Sequence, residues 1–425
     1  MTLSRSLFNF LLLTSLAPFA RAGVVHVVDS ATPGAFQQIQ DAVDAAVGSD
    51  VVLVRSGTYA GFEIVAKEIA VVADEDALVL VGGAIRVVSL SASQDVLLSG
   101  LHATGTLAAG GELRNGLALL NNAGSVRLLG CDFEAAMGGM DPSCTRSHGA
   151  LVENCADVAF TACLLRGRSS DFAGGNGLEL RASAVALYDS ALVGGDGGPA
   201  FPCQAYMDGG NGGSGVQHAD LVHLLLQNTS CAGGDGGLEG TPQAAGECLF
   251  PGAGGNALRR FGFATSTPAL LACPLSSGAT APCTGNTCSF VDCPPPPVAH
   301  VFGRSVTLQG RAPTLDSARV LRDGELLTLS FNGLPGDRVG LFLSDETAYR
   351  ALARGVDLVQ ESRPRLVLIA GVIDATGTLT RSLSIPALAP GEEARTLYLQ
   401  AQHRGPTGFP TLSGLASVVI VDATL

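Results

Sequence analysis

Four aspartates and three arginines in the middle of this 425-residue chain are the residue types that could do chemistry together: Asp132, Asp141, Asp171 and Asp196, with Arg146, Arg166 and Arg168. Carboxylates can hold a calcium ion against an acidic substrate, and an arginine can take the proton next to the substrate carboxylate. Together that is the equipment of a β-elimination on an acidic polymer. Arg166, Arg168 and Asp171 crowd closest and are the catalytic candidates. The same residues read equally well as solvated loop residues, since no second motif fixes their spacing. Calcium has a second candidate set in Asp196, Asp208 and Asp235, which stand in the glycine-rich runs GGDGG, DGGNGGSG and GGDGG. There it would bind through carboxylate and carbonyl oxygens.

Other chemistries find little support. The seven histidines are scattered without paired spacing. His218 and His223 flank one strand but lie five residues apart, so alternation puts them on opposite faces. No Gly-x-Ser-x-Gly elbow occurs, and Asn228-Thr229-Ser230 is the one glycosylation sequon noted. Eleven cysteines lie between Cys131 and Cys293, with no Cys-x-x-Cys pair. In an exported protein such cysteines are disulfide candidates rather than metal ligands. Cys131 and Cys163 fall at the same place in successive repeats, and Cys203 and Cys248 in equivalent insertions. Cys273, Cys283, Cys288 and Cys293 cluster as a staple. The odd count leaves at least one thiol outside any internal pair.

The elements that must position these residues follow from a repeat. Alternating strands centred on Val96, Val126, Val158, Val185 and Leu224 recur roughly every 30 residues, each followed by a glycine-rich break. A unit that cannot bury its own apolar face must stack on its neighbours. Period-two alternation without a helical stripe makes the stack a β-solenoid. Glycine in the breaks is expected at sharp corners that need left-handed backbone. Paired breaks bracket longer insertions, which would project together on one face. Before the repeats, residues 1–22 read as a secretory leader: Arg5, an apolar run, then Ala20-Arg21-Ala22. Pro294 to Pro297 opens a proline-rich linker, 294–304. The remainder, 305–425, alternates in about seven short strands, the pattern of a β-sandwich.

The segment from Phe36 carries a further signal. Phe36, Ile39, Ala42, Val43 and Ala46 fall at helical spacing, and the following strand ends Val54-Arg55-Ser56-Gly57-Thr58-Tyr59. This resembles the N-terminal signature of the pectin-lyase-like right-handed parallel β-helix proteins. The resemblance implies such a β-helix over 23–293, with an N-terminal helical cap. It is specific for fold and not for activity, because lyases, hydrolases, esterases, epimerases and non-catalytic surface proteins share it. The motifs of the hydrolases and esterases are missing: Ser147-His148-Gly149 lacks the leading glycine of Gly-His-Gly, and no adjacent aspartate pair occurs. The glycine-aspartate runs also differ from the tandem calcium nonapeptide of RTX solenoids in where the aspartate stands.

Charge narrows the partners. The formal net charge is −13 and Lys67 is the only lysine. Such a surface repels phosphate backbones, which argues against nucleic acid. Past the leader, no apolar run is long enough to span a membrane. The expectation is a secreted, extracellular or cell-surface binding or structural protein, carbohydrate-related by the family it resembles. The alternatives are a divergent calcium-dependent polysaccharide lyase acting on acidic glycans, and a structural spacer. The absence of Trp and the presence of five Tyr weigh against an aromatic sugar-binding face.

Overall fold

The computed structural model describes residues 23–106, 115–136, 147–169, 173–199, 208–238, 251–261, 266–282, 298–352, 355–359, 366–405 and 410–425. Among them the chain is nearly all β, and its first two thirds wind into two large parallel sheets. One, the continuous sheet, stacks Val25–Val28, Asp50–Val54, Ile69–Ala73, Asp95–Ser99, Ser125–Leu129, Asp157–Thr161, Ala184–Tyr188 and His223–Gln227 in sequence order, then Ala269–Leu271 and Val306–Leu308. Val96, Val126, Val158, Val185 and Leu224 form one column in exact register, so the repeat read from the sequence is the coil. The helix Ile39–Ala45 packs Ile39, Ala42 and Val43 into the same core as that column.

The opposing sheet is split. The strand Val79–Val88 pairs through Val79–Gly82 with Leu101–Thr104, and through Ile85–Val88 with Leu117–Leu120. Gly83, at φ +156°, stands at the fork. The strands of the two limbs stay apart in the later coils, and the described glycine-rich segments from Gly167 onward connect them. Those segments hydrogen-bond to one another in columns. Gly278 donates its backbone N–H to the Gly255 carbonyl, Gly255 to Gly234, Gly234 to Gly213, Gly213 to Gly195 and Gly195 to Gly175, the links alternating between successive coils and the two arms of one coil's segment. A second column runs from Ala281 through Gly252, Gly237 and Gly210 to Gly198.

In the GGDGG runs a side chain interrupts glycine at the three-residue period of a polyproline-II chain. The segment glycines of these columns lie outside the left-handed region, and a Cβ at Gly213 or Gly234 would overlap the carbonyl oxygen of Gly175 or Gly195. Glycine is there for close approach, not for corners. The corners instead use Gly100, Gly130, Ala162, Asp189, Asn228 and Ala272 on one side, with φ from +48° to +72°.

The solenoid runs past the expected boundary at 293. Val301–Phe302 and Val306–Leu308 add strands to the two sheets, so residues 301–304 of the expected linker belong to the last coil. Beyond it, two sheets face each other. Thr314–Ser317, Leu326–Asn332 and Thr378–Ser384 form one; Val320–Arg322, Thr411–Val421, Ala394–Arg404, Arg338–Ser344 and Leu366–Val372 form the other. Leu327, Leu329 and Phe331 meet Val339, Leu341, Leu399 and Val418 between them. The larger sheet turns its other face to the solenoid: Tyr398, Leu415, Val419 and Val421 pack on Val51, Leu53, Val72, Leu97, Ala186, Tyr188 and Leu225.

That contact buries a full ion pair. Arg127 is wholly buried and meets Asp157 with both nitrogens, at 2.5 and 2.7 Å, while donating to the Ala348 carbonyl at 3.3 Å. Burial alone would lower the Arg127 pKa, and the neighbouring Asp157 carboxylate more than offsets it.

The packing makes a direct prediction. Gly234→Ala should destabilise the protein by ~1–3 kcal/mol, the usual cost of overpacking. Gly48→Ala, where a Cβ meets nothing within 4 Å, should stay within ~0.5 kcal/mol of the parent. Denaturant unfolding of both variants checks this; equal effects would refute the packed bundle.

Candidate functional site

A cavity of about 360 Å³ lies where the left-handed corners of the solenoid face the sandwich. Leu129, Gly130, Thr161, Ala162, Asp189 and Asn228 form its solenoid wall, and Thr314 to Ser317, Arg319 and Leu415 to Ser417 the other. The wall follows from the coil geometry. Each corner residue donates its N–H to the next coil, Gly130 to Thr161, Ala162 to Tyr188, Asp189 to Gln227 and Asn228 to Leu271. Short polar side chains tolerate left-handed backbone best after glycine, which is a structural reason for Asp189 and Asn228 at those positions. The Asn228 amide donates to Asp189 Oδ1 at 2.7 Å.

The electrostatics go beyond that structural role. Burial pushes the Asp189 carboxyl up to about 6, against the Asn228 hydrogen bond, with the charge of Asp316 adding to the rise. At neutral pH it is mostly ionised and accepts hydrogen bonds, and below about pH 6 it can also donate one. Thr161 is 7% exposed, and its hydroxyl has no hydrogen-bond partner. A buried hydroxyl without a partner carries a desolvation cost that a ligand or ordered water would relieve. The cleft thus offers carboxyl, amide, hydroxyl and guanidinium groups beside Leu129, Leu315 and Leu415.

The residues singled out in the sequence are mostly engaged elsewhere. Arg166 stands 3.7 Å from Glu134, on the neighbouring strand of its limb. Arg168 is buried, and its backbone braces Ser147 and Gly175. Asp132 meets His102 at 2.8 Å. Asp171, Asp141 and Arg146 lie outside the described residues, as do most of the two projecting insertions and residues 1–22. Asp196 Oδ1 accepts the Asp235 N–H at 2.8 Å, and Asp235 Oδ1 the Ala279 N–H at 2.6 Å. These two carboxylates cap backbone donors of the next coil. Asp208 leads into the second glycine column. Among the described residues, no group of three or more His, Cys, Asp or Glu is arranged to hold a metal ion. His218 is buried in the solenoid, and His223 faces the sandwich, 2.7 Å from the Tyr349 hydroxyl.

The cysteines carry a correction. Cys131, Cys163 and Cys273 are free thiols, and no disulfide occurs among the described residues. Cys203, Cys248, Cys283, Cys288 and Cys293 lie outside them. Cys131 and Cys163 do stack in successive coils, but each points inward. Cys163 Sγ donates to the Thr161 carbonyl at 3.3 Å, Cys131 Sγ to Leu129 and Cys273 Sγ to Leu271. Ser190 and Thr229 occupy the same corner and donate to the Tyr188 and Gln227 carbonyls. The position wants a small inward donor, and cysteine is one solution. Serine and threonine at the equivalent sites were the sequence signal for this.

The chain matches no family model, no curated protein and no solved structure. No helix among the described residues is long and apolar enough to cross a membrane.

Asp189 makes the cleft testable through pH. Its folded pKa lies above the ordinary 3.8, so ionising it in the fold opposes stability above about pH 6. That penalty, on the order of 2–3 kcal/mol at ~1.4 kcal/mol per pKa unit, fades as pH falls from 6 toward 4. Asp189→Asn should therefore raise thermal stability at pH 7.5 and confer no gain near pH 4. An equal shift at both pH values would contradict the assignment.

Proposed function

We propose that this chain is a secreted, extracellular or cell-surface protein that binds a carbohydrate, with the seam cleft as its ligand site. In this reading the parallel coils are a right-handed, pectin-lyase-like β-helix capped by the helix Ile39–Ala45, and the sandwich closes its flank. The observation that carries the proposal is the cleft itself. Its 360 Å³ falls in the range of small-molecule sites, which combine apolar walls with a few placed polar groups. Asp189, Asn228, Thr161, Asp316 and Arg319 line it with both donors and acceptors, as sugar hydroxyls require, and none is an aromatic platform. That fits a chain without Trp. The remaining outer face of the continuous sheet is covered by the sandwich, which leaves the cleft as its main recess.

A calcium-dependent lyase acting on acidic glycans stands second. Arg166 is opposed by Glu134, Arg168 is buried, and Asp196 and Asp235 already hold backbone N–H groups.

The test is a glycan array followed by calorimetric titration of the best oligosaccharide. Asp316 is exposed in the cleft, so Asp316→Ala should fold normally and weaken binding about tenfold, the loss of one charge-assisted hydrogen bond. An array without signal, or an unchanged affinity in the variant, would overturn the proposal.

A further inference from the structure

A second cavity lies where the chain passes from the last coil into the sandwich, and it shares no lining residue with the seam cleft. It measures 140 Å³ and is lined in part by Gln309, Arg311, Gly333, Asp337, His403 and Thr411. His403 belongs to Ala394–Arg404, on the row Leu397, Leu399, Ala401, His403 that alternation turns toward the space between the two sheets. Three members of that row are core side chains; the fourth is an imidazole. It is 3% exposed, and neither ring nitrogen has a hydrogen-bond partner. A protein seldom leaves a buried donor and acceptor unpaired, because the desolvation cost is then unrecovered.

The surroundings are built for a polar occupant. Gly333 lets the backbone pack directly against the imidazole: a Cβ there would lie 2.6 Å from His403 Nδ1, too close without a shift of the ring, and 3.4 Å from Asp337 Oδ2. Asp337 is 8% exposed, and its Oδ2 accepts the Leu334 N–H at 3.1 Å. Arg311, exposed at the mouth, donates to the Gly333 carbonyl at 3.3 Å. Burial lowers the His403 pKa to about 4, so at neutral pH the ring carries one N–H and one lone pair.

The chemistry eliminates most ligand classes. An anion would meet the Asp337 carboxylate, and a simple cation the Arg311 guanidinium. A bound transition metal usually takes three or four protein ligands, and no group of three His, Cys, Asp or Glu gathers among the described residues. An apolar molecule would leave the imidazole unpaired. What remains is a neutral occupant that both donates and accepts: ordered water in the free protein, or a small polyhydroxyl molecule that displaces it. A dry apolar cavity of about 150 Å³ encloses benzene, so a hydroxylated ring seated here would extend into the mouth beside Arg311. We propose that this cavity is a second binding site, taking one small neutral polyhydroxyl molecule such as a monosaccharide or a cyclic polyol, with His403 and Asp337 as its buried partners.

The test follows the His403 ring resonance by NMR in the full-length protein, titrated separately with glucose, galactose, mannose and inositol. At least one should move it saturably, and zinc chloride or inorganic phosphate should not. Gly333→Ala, whose Cβ would push the imidazole out of its present position while keeping the histidine, should abolish the response. Asp316→Ala in the seam should leave it intact, so failure here is separable from failure of the seam reading. No movement with any of the four, a response to zinc or phosphate instead, or a sugar response that survives Gly333→Ala would each overturn the proposal.

Discussion

The constraint on which the rest of this structure depends is that the continuous sheet is buried on both faces. Its inward columns, Val96 to Leu224 among them, fill the solenoid, while Val51, Leu53, Val72, Leu97, Ala186 and Leu225 point outward and are just as apolar. Left in water, each outward side chain would forgo ~1.5–3 kcal/mol of burial, and the strip would be an exposed patch of the kind soluble monomers avoid. The sandwich therefore belongs to the solenoid's core and is not a module on a tether. Polar groups fix where it docks. Arg127 and Asp157 form their bidentate pair under the antiparallel hairpin of Thr347–Leu352 and Gly355–Val359, the Tyr188 hydroxyl joins the Val356 backbone, and Arg55 and Arg322 converge on Asp74. Buried pairs of this kind contribute little net stability, but breaking one is costly. They specify the docking that the apolar strip drives.

The seam cleft is a consequence of that docking. Covering the sheet brings the sandwich strands alongside one row of left-handed corners, whose side chains cannot turn inward. Asp189 and Asn228 are placed by backbone geometry first, and their proximity to Asp316 and Arg319 comes from the sandwich. On the opposite side of the coil the split sheet holds a bundle almost without side chains, whose stability comes from backbone hydrogen bonds and close contact. A rigid scaffold with its polar recess at a domain boundary is a common arrangement for ligand sites.

Much of the coil was legible in the sequence. The Val and Leu column, the helix from Ile39 and the β-rich C-terminal domain all follow from periodicity, and the register of the markers is the register of the sheet. The docking was not, although its signal was present. DVVLV, IAVVA and AVALY are apolar at nearly every position, as strands covered on both faces must be, yet alternation alone draws attention to one face. The glycines were misattributed for a related reason. Composition cannot separate glycine needed for left-handed backbone from glycine needed for contact, and only the stacking of Gly213 on Gly175 distinguishes them. The cleft residues were invisible because Asp189 and Asp316 meet only through the fold. The calcium and elimination candidates were chosen by residue type, and several of those carboxylates and arginines already have partners in the coil stack.

The measurement that tests this account most directly is calorimetric unfolding of the intact protein. If the sandwich completes the solenoid's outer core, both must unfold together in a single transition, because neither can keep its share of the buried strip alone. Two separated transitions, one for each domain, would contradict the account and return the sandwich to the status of an independent module.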